Sequence, residues 1–346
     1  MNTVALPNEP ALLHRRKYRD NFARHCLGVS LYLQSEVMNV LTLKHGHSQL
    51  RINFEPYISL AGQKGARLSD IADALGISRQ AANQVANQIE TAGYLQRTPD
   101  PMDGRAKLLT TTPRANAMLR QGSREAVKLQ ARFADVVGER KLARVTATIF
   151  RLNRELGLLY AFDENVTHVL AGVLPRLADY ISQRLQHLTM SKGHPGLKRS
   201  FGAVLTAIGP HGGRIQQMAN TRDVSKQAIS AIASELENLG YIERSPDPDD
   251  ARQVVLNFTA AGRQLIADSV ASVGELEREL AQLVGEKAFA EVTGTMSRLY
   301  RSLHLEEDVF GHADGNDIRV IARQLSRQLG DEGARALARL ILSGES

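Results

Sequence analysis

The sequence predicts a mostly α-helical protein with small β-wings, built as two copies of one unit. Three observations predict it. Aromatic residues are only 5% of the 346 residues and Trp is absent, so the core falls to Leu, Ile, Val and Ala, the usual filling of packed helices. Sliding the chain by 147 positions lays it on itself without a gap. Between Leu50 and Leu119, 21 of 70 positions are identical to Leu197–Ile266, and between Val137 and Leu156, 11 of 20 are identical to Val284–Leu303. Each copy also contains a short strand–turn–strand pattern. A repeat of this length is a duplicated domain rather than a solenoid module. The chain therefore divides into units at 1–156 and 157–303, followed by a helical extension, 304–346.

Each unit opens on a long apolar-periodic helix, at Arg19–Leu43 and Asn165–Leu188. Helices follow at Phe54–Ala61 and Phe201–Ile208, then short ones at Leu68–Leu75 and Ile215–Arg222. A further helix starts at Ser78 and ends at Gly93, its apolar residues Ile77, Ala82, Val85, Ile89 and Ala92 falling on one face. Ser78 and its counterpart Ser225 are placed to cap that helix, and Gly93 and Gly240 suit its C-terminal turn. Tyr94–Arg97, a turn rich in Pro and Asp, and Lys107–Thr112 make a hairpin; Tyr241–Arg244 and Val254–Thr259 repeat it. Thr112 and Thr259 open the helices that close each unit.

Two short helices joined by a tight turn and followed by a hairpin describe a winged helix-turn-helix. The second helix would enter a major groove N-terminus first. Its outward residues Arg79, Gln80, Asn83, Gln84 and Asn87, with the cap Ser78, can donate to and accept from base edges, and no carboxylate intervenes before Glu90. Arg105 near the hairpin tip suits the negative potential of a minor groove, with Lys107 behind it, and Asp103 is placed to hold the Arg105 guanidinium. The second copy offers Ser225, Lys226, Gln227, Ser230 and Arg252. Arg67 and Arg214 either contact phosphate or close the short strand. Charge points the same way: residues 1–156 carry 23 Lys and Arg against 13 Asp and Glu, residues 157–346 carry 20 against 24, and the whole chain is +6.

At these residues each unit resembles a MarR-type transcriptional regulator. The matching segments are Leu68–Ala72, Ser78–Ala81, Ile89–Leu95 and Asp100–Arg105, with Met218-Ala219, Ser225–Ala228, Leu236–Ile242 and Asp247–Arg252 in the second copy. The family usually works as a two-fold dimer of single-domain chains. The resemblance thus implies two winged domains joined through a helical pseudo-dimer interface, binding double-stranded DNA at a two-half-site operator as a repressor. It also implies response to a small aromatic or anionic effector, for which Tyr32, His47, Arg51 and Tyr57 are the candidate lining. The two copies are not equivalent readers: Arg79, Asn83, Gln84 and Asn87 become Lys226, Ser230, Ala231 and Ser234. Unit one is expected to dominate an asymmetric operator. The alternative is a winged-helix scaffold that binds another protein.

The remaining features carry less. Cys26, the one cysteine, beside His25, is either a redox sensor or a small buried hydrophobe. His45 and His47 are either a metal pair or polar loop residues; neither a metal nor another cofactor is expected. No phosphate-binding, dinucleotide-binding or hydrolase motif is present, so an enzyme is not expected. Without a membrane span or signal peptide, a cytoplasmic protein is expected. Two amphipathic stretches in the extension, Ile318–Leu329 and Glu332–Leu342, either pack within the chain or mediate association of a chain that otherwise works as a monomer.

Overall fold

The structure is a computed structural model that describes residues 9–62, 64–159, 169–209, 212–222, 225–247 and 254–306. Most of the extension, the second wing tip with Arg252, and residues 165–168 of the expected Asn165–Leu188 helix lie outside them. The architecture is mostly α with two small antiparallel sheets, as the sequence predicts. In chain order the elements are α1 (Glu9–Arg19), α2 (Phe22–Leu43), α3 (Glu55–Ala61), β1 (Ala66–Arg67), α4 (Leu68–Leu75), α5 (Arg79–Thr91), β2 (Leu95–Asp100), β3 (Asp103–Thr111), α6 (Pro113–Val137) and α7 (Glu139–Glu155). The second copy gives α8 (Leu170–Ser191), α9 (Gly202–Ala207), β4 (Gly213–Arg214), α10 (Ile215–Arg222), α11 (Lys226–Asn238), β5 (Ile242–Pro246), β6 (Val254–Phe258), α12 (Ala260–Val284) and α13 (Glu286–Ser302).

The chain separates into two compact units, and they cut across the repeat. The described part of one is 31–62, 64–132, 158–159 and 169–172; that of the other is 9–30, 133–157, 173–209, 212–222, 225–247 and 254–306. The former holds the first winged lobe. Its sheet has the order β1-β3-β2, with Ala66 opposite Leu109 and Leu95 opposite Thr111. Ile71 and Ala72 of α4, Ala82, Ala86 and Ile89 of α5, and Tyr94, Leu95 and Leu109 of the sheet are all buried in one core with Phe54, Tyr57 and Ile58. Each fully buried Ile, Leu or Phe contributes about 1.5–3 kcal/mol of transfer free energy, which fixes α5 by its inner face and leaves the outer one to solvent.

The latter unit holds the second winged lobe and the terminal helices. Its sheet has the order β4-β6-β5. Phe201, Ile208, Met218, Ile229, Leu236, Tyr241 and Leu256 form the equivalent core, against which Tyr18 of α1 also packs. In this unit α7, from the first repeat, lies against α12 and α13 of the second, and α1 lies against α12. Phe22 meets Phe289 edge-on with ring centroids 4.9 Å apart, and Arg15 stands over the Phe258 ring at 5.2 Å.

The start of the first long helix differs from expectation. The first long helix starts at Phe22, not Arg19, and a separate helix, α1, precedes it. Asn21 makes the break: its Nδ2 donates to the carbonyls of Lys17 and Tyr18, while its Oδ1 accepts from the Arg24 N–H at 3.0 Å. One side chain thus closes one helix and caps the next.

The start of α12 is packed more tightly than its counterpart. A Cβ at Gly262 would fall 1.9 Å from the Tyr241 carbonyl oxygen, yet the first repeat carries a buried Ala115 there. Gly262→Ala should lower thermal stability by about 1–3 kcal/mol despite the better helix propensity of Ala. Gly274→Ala, in the same helix with nothing within 4 Å of the added methyl, should raise it. Melting curves of the two variants check the contrast.

Candidate nucleic-acid interface

The outward face of α5 follows from its caps and its core. Ser78 sits in extended backbone and its Oγ accepts from the Ala81 N–H at 3.2 Å. That starts the helix where its first free N–H groups and the positive end of its dipole face outward. With Ala82, Ala86 and Ile89 buried, Arg79, Gln80, Asn83, Gln84 and Asn87 all lie exposed. The structure places these five expected residues on one face.

Arg97, on β2, was not among the expected residues. Its Nη2 donates to Asn83 Oδ1 at 2.9 Å and to Asn87 Oδ1 at 3.0 Å, and its Nη1 lies 2.5 Å from Glu90 Oε2. A guanidinium has only donors, so the atoms turned toward it must be amide oxygens. Both asparagines therefore hold their Nδ2 groups away from Arg97, as donors. The second copy repeats the bridge with less to hold: Arg244 pairs with Glu237 and donates to Ser234 Oγ at 3.1 Å.

The wing is anchored by a buried carboxylate. Asp100 is only 7% exposed. Its Oδ1 accepts from the Met102 N–H at 2.9 Å, and its Oδ2 lies 2.8 Å from Arg67 Nε and 2.6 Å from Nη2. The Met102 N–H and the Arg67 guanidinium hold its pKa below the usual carboxylate range. In the second copy Asp247, also buried, pairs with Arg214 at 2.5 Å. Arg67 and Arg214 therefore close the short strand onto the hairpin. Arg105 and Lys107 are exposed on β3. The expectation that Asp103 holds the Arg105 guanidinium is corrected. Asp103 Oδ1 accepts from the Arg105 backbone N–H at 3.1 Å and Oδ2 lies 3.4 Å from Arg67 Nη2, so the aspartate shapes the turn and the Arg105 side chain extends from it.

In the second copy Ser225 caps α11 through the Ala228 N–H at 3.2 Å, Lys226 and Gln227 are exposed, and Ser230 is half-buried.

A family model described as the MarR family matches residues 58–106 and again residues 196–253, the first taking in α4, α5, β2 and the start of β3, the second α10, α11 and β5. Both copies of the repeated unit are therefore similar to the MarR family over these segments. Each copy folds as a helix pair followed by a small antiparallel sheet. Among solved structures, a probable transcriptional regulator from Pseudomonas aeruginosa is 24% identical, covering 36% of this chain and 94% of that one, with a TM-score of 0.29. MepR from S. aureus, solved bound to ethidium bromide, is 20% identical over 37% of this chain and 94% of its own, with a TM-score of 0.28. PcaV from Streptomyces coelicolor, solved with its natural ligand, is 18% identical over 40% and 98%, with a TM-score of 0.28. No curated protein matches the chain in sequence.

The candidate effector residues of the first copy are occupied in different ways. Tyr32 Oη accepts from Arg132 at 3.3 Å. His47 is buried between Gln121 Oε1, 2.7 Å from its Nε2, and Tyr94 Oη, 3.3 Å from its Nδ1. Arg51 is exposed and donates to Gln88 of α5 at 3.2 Å. Tyr57 is buried, its hydroxyl without a hydrogen-bond partner among the described residues and its pKa raised by burial. A shallow cavity of about 360 Å³ is lined elsewhere, by Glu277 and Ala281 of α12 and Phe289 and Ala290 of α13.

His194 repeats the place of His47, with Asp268 Oδ2 at 2.8 Å and Tyr241 Oη at 3.3 Å. His45 faces Glu125 at 3.5 Å. Among the described residues no group of three or more His, Cys, Asp or Glu could hold a metal ion, and no helix is long and apolar enough to cross a membrane. Cys26 is fully buried and burial pushes its thiol pKa well up, the opposite of what a sensing thiolate needs.

A depressed carboxylate pKa contributes stability that is present above the unfolded value, about 4, and lost as pH falls through the folded value. Asp100→Asn should therefore be less stable than the parent at pH 7, with the gap closing below about pH 4. Urea unfolding at pH 7 and pH 3 measures both gaps.

Proposed function

We propose that this chain is a cytoplasmic, sequence-specific regulator of transcription, a repressor that binds double-stranded DNA as a single chain. It presents two reading units, 1–156 and 157–303, to a two-half-site operator. The observation that carries the reading is the outer face of α5: Arg79, Gln80, Asn83, Gln84 and Asn87 are exposed together at the capped end of a helix held from behind. Arg105 and Lys107 add cations for the backbone or the minor groove. Release by a small aromatic or anionic effector belongs to the same proposal, with Tyr57 the residue to vary first.

The α5 face also sets what it reads. Asn83 and Asn87, fixed as donors by Arg97, match acceptor edges such as guanine O6 and N7 or thymine O4. They do not complete the bidentate pair with adenine, which needs a donor and an acceptor from the same amide. Unit two offers Lys226, Ser230 and Ser234 where unit one has Arg79, Asn83 and Asn87, so unit one dominates discrimination.

Selection from random duplex DNA should return a two-part motif, well defined on one side; a pool without enrichment would favour a protein-binding scaffold instead. In electrophoretic shifts Arg79→Ala should weaken binding by about tenfold or more and Lys226→Ala by less; the reverse order would refute the dominance of unit one. Arg97→Ala should leave a complex whose base preference at one or two positions drops about tenfold, measured by repeating the selection with the variant.

A further inference from the structure

The seam between α7 and α13 carries a property that neither DNA reading nor the family describes. In a two-fold homodimer a residue on the axis meets its own copy, and every contact occurs twice. Arg144 of α7 and Glu291 of α13 are separated by 147 residues, the repeat offset, and they touch. Arg144 Nε lies 3.2 Å from Glu291 Oε2 and Nη2 lies 2.5 Å from Oε1. Equivalent positions of the two repeats thus face each other at the local two-fold, but with opposite charges. We propose that this seam is self-excluding: it fits the unlike repeat of the same chain and rejects the like helix of a second copy.

Like pairing would set Arg144 against Arg144, or Glu291 against Glu291. The bidentate pair would become a repulsive one. For exposed groups that difference is modest, so the sign alone would make a weak lock. The steric differences nearby act in the same direction.

Tyr300 of α13 packs over Gly28 of α2, where a Cβ would lie 2.6 Å from the ring Cε2 and 2.9 Å from Cδ2. The counterpart of Gly28, 147 residues on, is Pro175 inside α8. Pairing of two second repeats would bring Tyr300 onto a proline ring where only hydrogen fits. The counterpart of Tyr300 is Asn153, which is fully buried and donates from Nδ2 to the Val173 carbonyl at 2.8 Å. Pairing of two first repeats would put this small amide where a tyrosine ring belongs and leave a hollow beside Gly28, which costs packing. Each of the two end-sites therefore has its own lock, and neither accepts the other's key.

Cysteine cross-linking in the full chain tests this, with buried Cys26 left in place. Arg144→Cys combined with Glu291→Cys should oxidise to a species of one chain's mass with altered mobility, and Arg144→Cys alone should give no covalent dimer. A two-chain product from either variant, or no cross-link in the double variant, would overturn the proposal. A charge-reversal cycle supplies a second readout. Arg144→Glu and Glu291→Arg should each lower the melting temperature by about 1–4 °C, and the double reversal should recover most of the loss. Strictly additive losses would also overturn it. Gly28→Ala should lower the melting temperature although Ala is the better helix former; an increase would remove the steric part.

Discussion

A carboxylate nearly withdrawn from water holds each winged lobe in register. Asp100 cannot be buried as an anion without partners, because the desolvation would be prohibitive. Arg67 and the Met102 N–H supply them. Arg67 is also the last residue of β1 and immediately precedes α4, so one ion pair ties the start of the helix pair to the base of the hairpin. Leu108 and Leu109 are paired with β1 by the same strand. From that anchor β3 carries Arg105 and Lys107 outward, and β2 carries Arg97 to the flank of α5. Arg214 and Asp247 do the same in the second lobe. If the pair were lost, the reading helix and the wing would no longer share one frame.

Much of this was legible in the sequence. α4 falls where its pattern put it, and the caps at Ser78, Ser225, Thr112 and Thr259 act as their positions implied, each hydroxyl accepting an N–H three residues on. These features depend on local chemistry, which a single chain displays in order. What sequence could not show depends on contacts across the fold. Arg97 reaches Asn83 and Asn87 only because β2 crosses behind α5, and nothing in its own neighbours points there. α1 stayed hidden because Tyr18 is the one apolar residue between Leu13 and Phe22, and the two-way capping by Asn21 divides it from α2. Asp103 was given the wrong half of Arg105, since a spacing of two residues serves a side chain and a backbone N–H equally well.

The two lobes keep their supports and vary their outer faces. Tyr94 and Tyr241 each meet a buried histidine, but His47 leans on neutral Gln121 and His194 on charged Asp268. The Asp268 carboxyl, although burial opposes it, is held low by His194 and Gln264. Arg97 and Arg244 occupy the same place, one gripping two amides and the other a hydroxyl and a carboxylate. Packing positions such as Ile89 and Leu236, or Leu109 and Leu256, stay apolar and buried, because a core tolerates little change of volume. Solvent-facing positions are under no such constraint.

The asymmetric fit of Tyr300 on Gly28 and Asn153 on Val173 has a consequence for how such a chain can change over time. When two identical subunits pair, any altered codon is expressed at both ends of the assembly, so an improvement on one side is tied to its mirror image. Fusing the halves and making their joint non-interchangeable breaks that coupling. Each half can then drift alone, one substitution at a time, toward targets that lack dyad symmetry.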